Sequence, residues 1–338
     1  MSNPDKKVII IAEAGVNHNA SMERAREMVK EAARAGADYV KFQTAVPELV
    51  ISTIAPKAEY QKETTGNEES QLEMCRAIHL PLSAYAELAE LCRAEGIGFM
   101  STPFDLVSID TLAALDMDYW KIPSGEITNL PYLRKIGSRG EKVILSTGMS
   151  TLGEVNDAVD VLEKAGTPRG NIYLLHCTTQ YPTPMDAVNL RAMDALRLPG
   201  IGGVGYSDHT LGIEVPVAAV ARGAMIIEKH FTLDKSLPGP DHRASLDPNE
   251  LKAMVDAVRN IEKALGDGEK RVAEAERPNI EVARKSIVAA RDIKAGEIFT
   301  EENITVKRPG NGLNPMTWDS VIGKRASRDF AYDSLIEL

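Results

Sequence analysis

The stretch VIIIAEAGVNHNASMERAREMVKEAARAGADYVKF (residues 8–42) decides the fold. It opens on a short apolar run, Val8–Ala12, crosses a polar turn, and continues into an amphipathic segment, Met22–Ala35. It closes on a second short β-type run, Tyr39–Phe42. Strand, helix and strand in that order form a βαβ unit, whose strands lie parallel in one sheet. The alternation recurs along the chain. Further strands are expected at Gly98–Met100, Tyr119–Ile122, Val143–Leu145, Tyr173–Leu175, Ile201–Gly205 and Met225–Ile227. Helices are expected at Ser83–Glu95, Ser108–Leu115, Leu152–Ala165, Leu190–Leu196, Ile213–Ala221 and Asn249–Leu265. Eight βα units predict an α/β fold, a closed (β/α)8 barrel. The Gly125–Gly137 stretch is short and interrupted by proline. Ala45–Pro81 is too long for a simple βα loop, and its polar run with apolar punctuation is expected to cross the barrel mouth.

The pattern changes after Leu265. Gly266–Arg277 is charged and contains glycine, as a linker does. Short strand-like pieces follow at Ser286–Ala289 and Ile304–Val306, with a turn at Lys294–Gly296, and no further βα unit fits. The expected organisation is a barrel over residues 1–265, a linker over 266–282 and a small second domain over 283–338. The length of 338 residues suits that division, since a barrel alone takes about 250. With 39 Lys+Arg against 49 Asp+Glu, the net charge is −10, and no basic face offers itself to nucleic acid. No apolar run is long enough to span a membrane. MSNPDKK leads straight into a strand, without the apolar core of a signal peptide. Cys75, Cys92 and Cys177 are odd in number and lack CxxC spacing, as expected of reduced thiols in a cytoplasmic protein.

In such a barrel the active site lies at the carboxyl ends of the strands. Those ends carry Glu13 with Asn17 and His18; Lys41 and Gln43; Ser101–Thr102; Lys121 with Ser124 and Glu126; Ser146–Thr147; His176 with Thr178 and Thr179; Ser207–Asp208–His209; and Glu228–Lys229–His230. His209 and His230 follow adjacent strands. Two neutral imidazoles there can share one divalent cation and leave positions open to substrate, or each can bond a neighbouring loop. Lys41 and Lys121, with Thr102, Ser124, Ser146 and Ser207, form an anion-binding cup suited to a phosphate and a carboxylate. The alternatives are hydroxyls that cap helices and a lysine that forms a Schiff base. Glu13 is either a base near a metal-bound water or the salt-bridge partner of Lys41. Cys177 has no orienting histidine pattern and is expected to be inert. The two prolines of Leu237–His242 pre-order a loop that either aims Asp241 or forms a surface turn.

These residues sit in ten segments: IIAEAGVNHN (10–19), KFQT (41–44), STPFD (101–105), WKIPSGE (120–126), STGM (146–149), HCTTQYPTP (176–184), GYSDHT (205–210), EKHFTLDKSLPGPDH (228–242), ARKSIVA (283–289) and VKRPGNG (306–312). In that order they resemble the sialic acid synthase family, which makes nonulosonic acids from phosphoenolpyruvate. The resemblance implies a TIM barrel followed by an antifreeze-like SAF domain, assembled as a domain-swapped homodimer. It implies an N-acetylneuraminate synthase acting on N-acetylmannosamine, or alternatively a legionaminic or pseudaminic acid synthase acting on a diacetamido-trideoxy hexose. It implies a divalent metal on His209 and His230, expected to be Mn2+, with Mg2+ or Co2+ as alternatives. Glu13 matches the carboxylate near the reacting carbons. Lys41, Thr102, Lys121, Ser124, Ser146 and Ser207 match phosphoenolpyruvate-binding positions. Gln43, Tyr181 and Asp241 match sugar-binding positions, and Arg308 is expected to reach the sugar's acyl-amino group from the partner's SAF domain. Thr179 departs from the pattern: it stands where some relatives carry Asn, at a position facing the sugar. Outside this family, a Schiff-base pyruvate aldolase is the rival reading of the same lysines.

Overall fold

The computed structural model describes residues 7–66 and 69–338. Residues 1–6, which include most of the MSNPDKK segment, lie outside them. Eight strands form one sheet: β1 (Ile9–Gly15), β2 (Tyr39–Thr44), β3 (Gly98–Pro103), β4 (Trp120–Ile122), β5 (Val143–Ser146), β6 (Ile172–His176), β7 (Gly203–Asp208) and β8 (Ile226–His230). Their order is β3-β2-β1-β8-β7-β6-β5-β4, and every ladder is parallel. β3 and β4 lie side by side at the seam, so the sheet is a nearly closed (β/α)8 barrel.

The period-two alternation of strands explains where chemistry can sit. Ile11, Met100, Tyr119, Ile144, Leu175 and Ile226 point inward and fill the lower barrel as one apolar layer. Two residues further along five of these strands stand Glu13, Thr102, Lys121, Ser146 and Glu228, one layer nearer the mouth. β7 carries Gly205 in the apolar layer, because a Cβ there would lie 2.4 Å from the Ile226 carbonyl and 2.6 Å from Leu175. The alternate residues Ile10, Ala12, Val40 and Phe42 face outward into the core beneath the helices.

The helix Met22–Ala35 shows how the outer ring forms. Ser21 caps it by accepting the Arg24 N–H, and Ala25, Met28, Val29 and Ala32 make its buried stripe. The expected helix at Ser108–Leu115 instead spans Leu106–Leu112, because Asp105 Oδ1 accepts the N–H groups of Val107 and Ser108 and starts the helix earlier. The expected α-helix at Leu190–Leu196 is a 3-10 helix over Leu190–Asp194, entered through Asn189 at φ 45°. The Gly125–Gly137 stretch holds a helix over Leu130–Gly137 that tolerates Pro131 in its first turn. The long excursion carries three short helices, Pro47–Val50, Glu59–Thr65 and Gln71–Ile78. No helix among the described residues is long and apolar enough to cross a membrane.

Contacts divide the chain after Asp267. Within the stretch expected as linker, Arg277–Ala283 is helical and belongs to the second unit. That unit pairs β9 (Ser286–Ala289) antiparallel with β10 (Ile304–Lys307) over a core of Ile287, Ile293, Phe299, Ile304, Val321, Phe330 and Ile336. The Arg308–Gly312 turn is tied to β9. Ser286 Oγ donates to the Pro309 carbonyl at 2.6 Å and accepts the Gly312 N–H at 2.8 Å.

Candidate active site

Register alone brings the first functional side chains together. Glu13 of β1 pairs with Lys41 of β2 on one side and with His230 of β8 on the other. Lys41 Nζ lies 2.7 Å from Glu13 Oε2 and 2.9 Å from Thr102 Oγ1. Gln43 Nε2 donates to Glu13 Oε1 at 3.1 Å. Of the two readings of Glu13, the salt bridge to Lys41 is present, and the carboxylate also lines the cavity. Gly15, at φ 53°, follows it, and a Cβ there would crowd Gln43, Glu13 and His230.

The second lysine stands on β4, separated from Lys41 on β2 only by β3. Lys121 Nζ donates to Ser146 Oγ at 2.9 Å. Glu228 lies between the two lysines, 3.5 Å from Lys121 and 3.7 Å from Lys41, and accepts a hydrogen bond from Ser207 at 3.0 Å. The family resemblance assigns Glu228 no role; its signal in the sequence is its place two residues before His230, on the same inward face. Burial works against the Glu228 charge, yet Lys121 and Lys41 hold its pKa down at about 2. At Lys41 burial disfavours the ammonium, but Glu13 and Glu228 outweigh it and keep the group charged. Burial prevails at Lys121, whose pKa is lowered despite Glu228. Burial also prevails at Glu13 and raises its pKa, with Lys41 opposing.

Ser124 closes the floor of this cradle. Its Oγ accepts the Gly148 N–H at 3.0 Å and lies 3.3 Å from Cys177 Sγ. A Cβ on Gly148 would come within 2.7 Å of Thr179 and 2.9 Å of Ser124 Oγ, so only glycine lets that amide approach. Burial pushes the Cys177 thiol up, which keeps it protonated and a poor nucleophile.

His209 and His230 stand at the carboxyl ends of β7 and β8. The His209 and His230 rings lie 5.5 Å apart, centre to centre, and Tyr181 packs against both, at 4.1 and 5.6 Å. His209 Nδ1 is 2.6 Å from the Thr178 carbonyl. A carbonyl only accepts, so Nδ1 carries the proton and Nε2 keeps its lone pair. His230 Nδ1 is buried without a hydrogen-bond partner, 3.9 Å from Asp241. Burial lowers the pKa of both rings, with the neighbouring His209 adding to the effect at His230, so both stay neutral. Burial, then Glu13, raises Asp241 to about 7. Asp241 thus lies beside His230 inside the cavity rather than on a surface turn. No cluster of three or more His, Cys, Asp or Glu side chains suited to a metal occurs among the described residues. A divalent ion bound at this place would have the two imidazoles as its protein donors. A neutral pair with one orphaned ring nitrogen fits that role.

All the expected barrel residues line one cavity of about 430 Å³: Glu13, Lys41, Gln43, Thr102, Lys121, Ser124, Ser146, Thr179, Tyr181, Ser207, His209, His230 and Asp241. Its outer wall, from the 45–81 excursion, is mixed: Pro47, Val50, Ile51, Ala58, Met74 and Ile78 stand beside Gln61, Gln71 and His79. His18 and His176 do not share the cavity. His18 Nδ1 accepts the Ala20 N–H at 3.1 Å, and His176 Nε2 bonds the Val188 carbonyl at 2.8 Å. Arg308 sits in the second unit, where its Nε donates to the Ala283 carbonyl at 3.2 Å.

The profile of the NeuB family matches residues 28–270, and that of the SAF domain matches residues 284–337. The chain belongs to the NeuB family. It is 53% identical to the N,N'-diacetyllegionaminic acid synthase of Campylobacter jejuni, over 98% of this chain and 99% of that protein. It is 45% identical to the N,N'-diacetyllegionaminic acid synthase of Legionella pneumophila, over 95% and 91%. The crystal structure of N-acetylneuraminic acid (sialic acid) synthetase from Leptospira borgpetersenii, in complex with citrate, matches with a TM-score of 0.69 and 33% identity, over 82% of this chain and 92% of that one. As a NeuB-family enzyme the chain is a synthase dependent on phosphoenolpyruvate, which it joins to an amino sugar.

The cradle of this NeuB-family barrel makes its own prediction. Glu228→Gln removes the carboxylate between two buried ammonium groups and should destabilise the free protein by about 3–5 kcal/mol. Phosphoenolpyruvate, which brings negative charge to the same place, should restore more stability to the variant than it adds to the wild type. Urea unfolding with and without phosphoenolpyruvate measures both effects.

Proposed function

We propose that this chain condenses phosphoenolpyruvate with a 2,4-diacetamido-2,4,6-trideoxy hexose, releasing phosphate and an N,N'-diacetyllegionaminic-type acid. The observation that carries the reading is the meeting, in one cavity, of the lysine cradle, the imidazole pair and an outer wall that includes an apolar patch. The sugar differs from the N-acetylmannosamine favoured by the resemblance and corresponds to its alternative. Two considerations support the change. Relatives at 53% and 45% identity are named legionaminic acid synthases, against 33% for the sialic acid synthetase. N-acetylmannosamine carries hydroxyls where the trideoxy sugar has a second acetamido group and a methyl. Val50, Ile51, Met74 and Ile78 line the wall and offer such groups an apolar surface.

The residues divide the reaction between them. Lys41, Lys121, Thr102, Ser124, Ser146 and Ser207 hold the phosphate and carboxylate of phosphoenolpyruvate. Gln43, Thr179, Tyr181 and Asp241 bind the open-chain sugar and bring its aldehyde to the enol carbon C3. A divalent ion held by His209 and His230, Mn2+ in our reading, would supply Lewis acidity toward the sugar's carbonyl oxygen. As C3 bonds to the aldehyde carbon, positive charge grows at C2. Water adds at C2, and Glu13, at the junction of cradle and histidines, takes its proton. The C2–O bond to phosphate then breaks as the C2 hydroxyl loses its proton, giving the keto acid; the two protons of the water end on the sugar's former carbonyl oxygen and on the released phosphate. Closure of the cavity excludes competing water. A Schiff-base aldolase fits less well: Lys41 is held charged by two carboxylates, and Lys121 is engaged by Ser146.

Our reading also includes a swapped homodimer, in which Arg308 of a second copy contacts the sugar's acyl-amino group and helps close the cavity. The ordered turn around Pro309, anchored by Ser286, supports a fixed presentation of that side chain.

The test is phosphate release from phosphoenolpyruvate with a panel of acyl-amino sugars and manganese added or withheld. The diacetamido-trideoxy sugar should show kcat/KM at least about tenfold above N-acetylmannosamine, the size of effect expected when apolar groups find or lose a matching wall. Equal or reversed preference overturns the sugar assignment, and no phosphate release with any sugar overturns the reaction. Glu13→Gln should reduce kcat by about 10²-fold or more while leaving manganese affinity near wild type; a wild-type kcat removes Glu13 from the proton step. Arg308→Ala should raise the sugar's KM more than that of phosphoenolpyruvate. Equal effects on both, or a monomer in light scattering, would argue against the swapped contact.

A further inference from the structure

Behind the two imidazoles lies a buried polar unit that takes no part in lining the cavity. Asp208, Thr210 and Lys229 are each at most 1% exposed. Asp208 and Lys229 are register partners across β7 and β8. Their side chains leave the strands on the face opposite Ser207, Glu228 and His230. The Lys229 ammonium binds the Asp208 carboxylate and donates to the Thr210 carbonyl at 2.7 Å. Asp208 also accepts the Thr210 hydroxyl at 2.9–3.0 Å and the Thr210 N–H at 3.2 Å.

The connectivity gives these contacts a purpose. Asp208 and Thr210 flank His209, and Lys229 is the neighbour of His230. One ammonium thus grips the chain on both sides of the first imidazole from the residue adjoining the second. Two rings that share a cation must present their nitrogens within a few tenths of an ångström of the right separation. A buried ion pair adds little to stability over an apolar pair of the same size, whereas its directional bonds fix geometry.

We infer that Lys229, Asp208 and Thr210 form a positioning clamp that sets the spacing of His209 and His230 and thereby the affinity for the divalent ion. The inference rests on the reading of those histidines as its ligands. It concerns how they are held.

Manganese binding to the full chain, followed by the electron paramagnetic resonance of free Mn2+, tests it. Asp208→Asn/Lys229→Met replaces the ion pair without leaving a lone buried charge, and Thr210→Val removes one hydroxyl at nearly constant shape. The double variant should bind Mn2+ about 10–100-fold more weakly, the range for residues that orient metal ligands. Thr210→Val should lose several-fold. A merely structural role would lower the unfolding temperature and leave the manganese constant in place; that result in either folded variant overturns the clamp. Should the double variant not fold, Thr210→Val decides alone. His209→Ala separates the two readings. If it abolishes manganese binding while the clamp variants keep it, the clamp alone falls. If it too binds normally, the ion lies elsewhere and both fall.

Discussion

The carboxylate of Glu228, held between the ammonium groups of Lys41 and Lys121, is the constraint on which the site depends. Three charges in a barrel interior are each costly to desolvate, by several kcal/mol. They persist because each has opposite charge and a hydroxyl in reach: Thr102 for Lys41, Ser146 for Lys121 and Ser207 for Glu228. Glu13 completes the set on the far side of Lys41. The apolar layer of Ile11, Met100, Tyr119, Ile144, Leu175 and Ile226 beneath them closes the barrel to water from below. That layer strengthens every charge interaction above it.

Strand periodicity connects this electrostatics to the fold. A single step of two residues converts the plug into the cradle: Ile11 to Glu13, Tyr119 to Lys121, Ile144 to Ser146, Ile226 to Glu228. The odd-numbered step between them points the other way, into the helical layer, and there the chain places Ala12, Ile227 and Lys229. Lys229 is the exception among these apolar residues, and its partner Asp208 is the register neighbour from β7. Charges on both faces of the same two strand ends make this the most polar corner of the barrel.

Much of this was legible from the residues because the repeating βα unit and the polar strand ends are local signals. The eight strands and the helix Met22–Ala35 stand where apolar periodicity places them. Glu228 is not singled out by the string, because Lys229 and His230 beside it are ionisable too. Only the inward face, known once register is known, separates Glu228 and His230 from Lys229. The early start of the helix at Leu106 turns on a single capping carboxylate, Asp105, and the 3-10 form of Leu190–Asp194 on one left-handed residue, Asn189. Such boundaries depend on hydrogen bonds that periodicity does not encode. The apolar patch of the 45–81 excursion is equally hidden. Its residues are scattered among polar ones, and two short helices, Pro47–Val50 and Gln71–Ile78, turn Val50, Met74 and Ile78 toward the same space.

Charge accounting links the two walls of the cavity. Lys41 and Lys121 are already matched by Glu13 and Glu228, so the cradle is close to neutral before any substrate arrives. Phosphoenolpyruvate adds a carboxylate and a phosphate, more negative charge than a neutral cradle can take up. Burial raises the pKa of Glu13, which makes its carboxylate the stronger base and suits it to take a proton in the proposed reaction. The neutral imidazoles of His209 and His230 add no positive charge of their own, so a cation could lie beside them without repulsion. In the proposed reaction that cation would offset the charge that the anion brings.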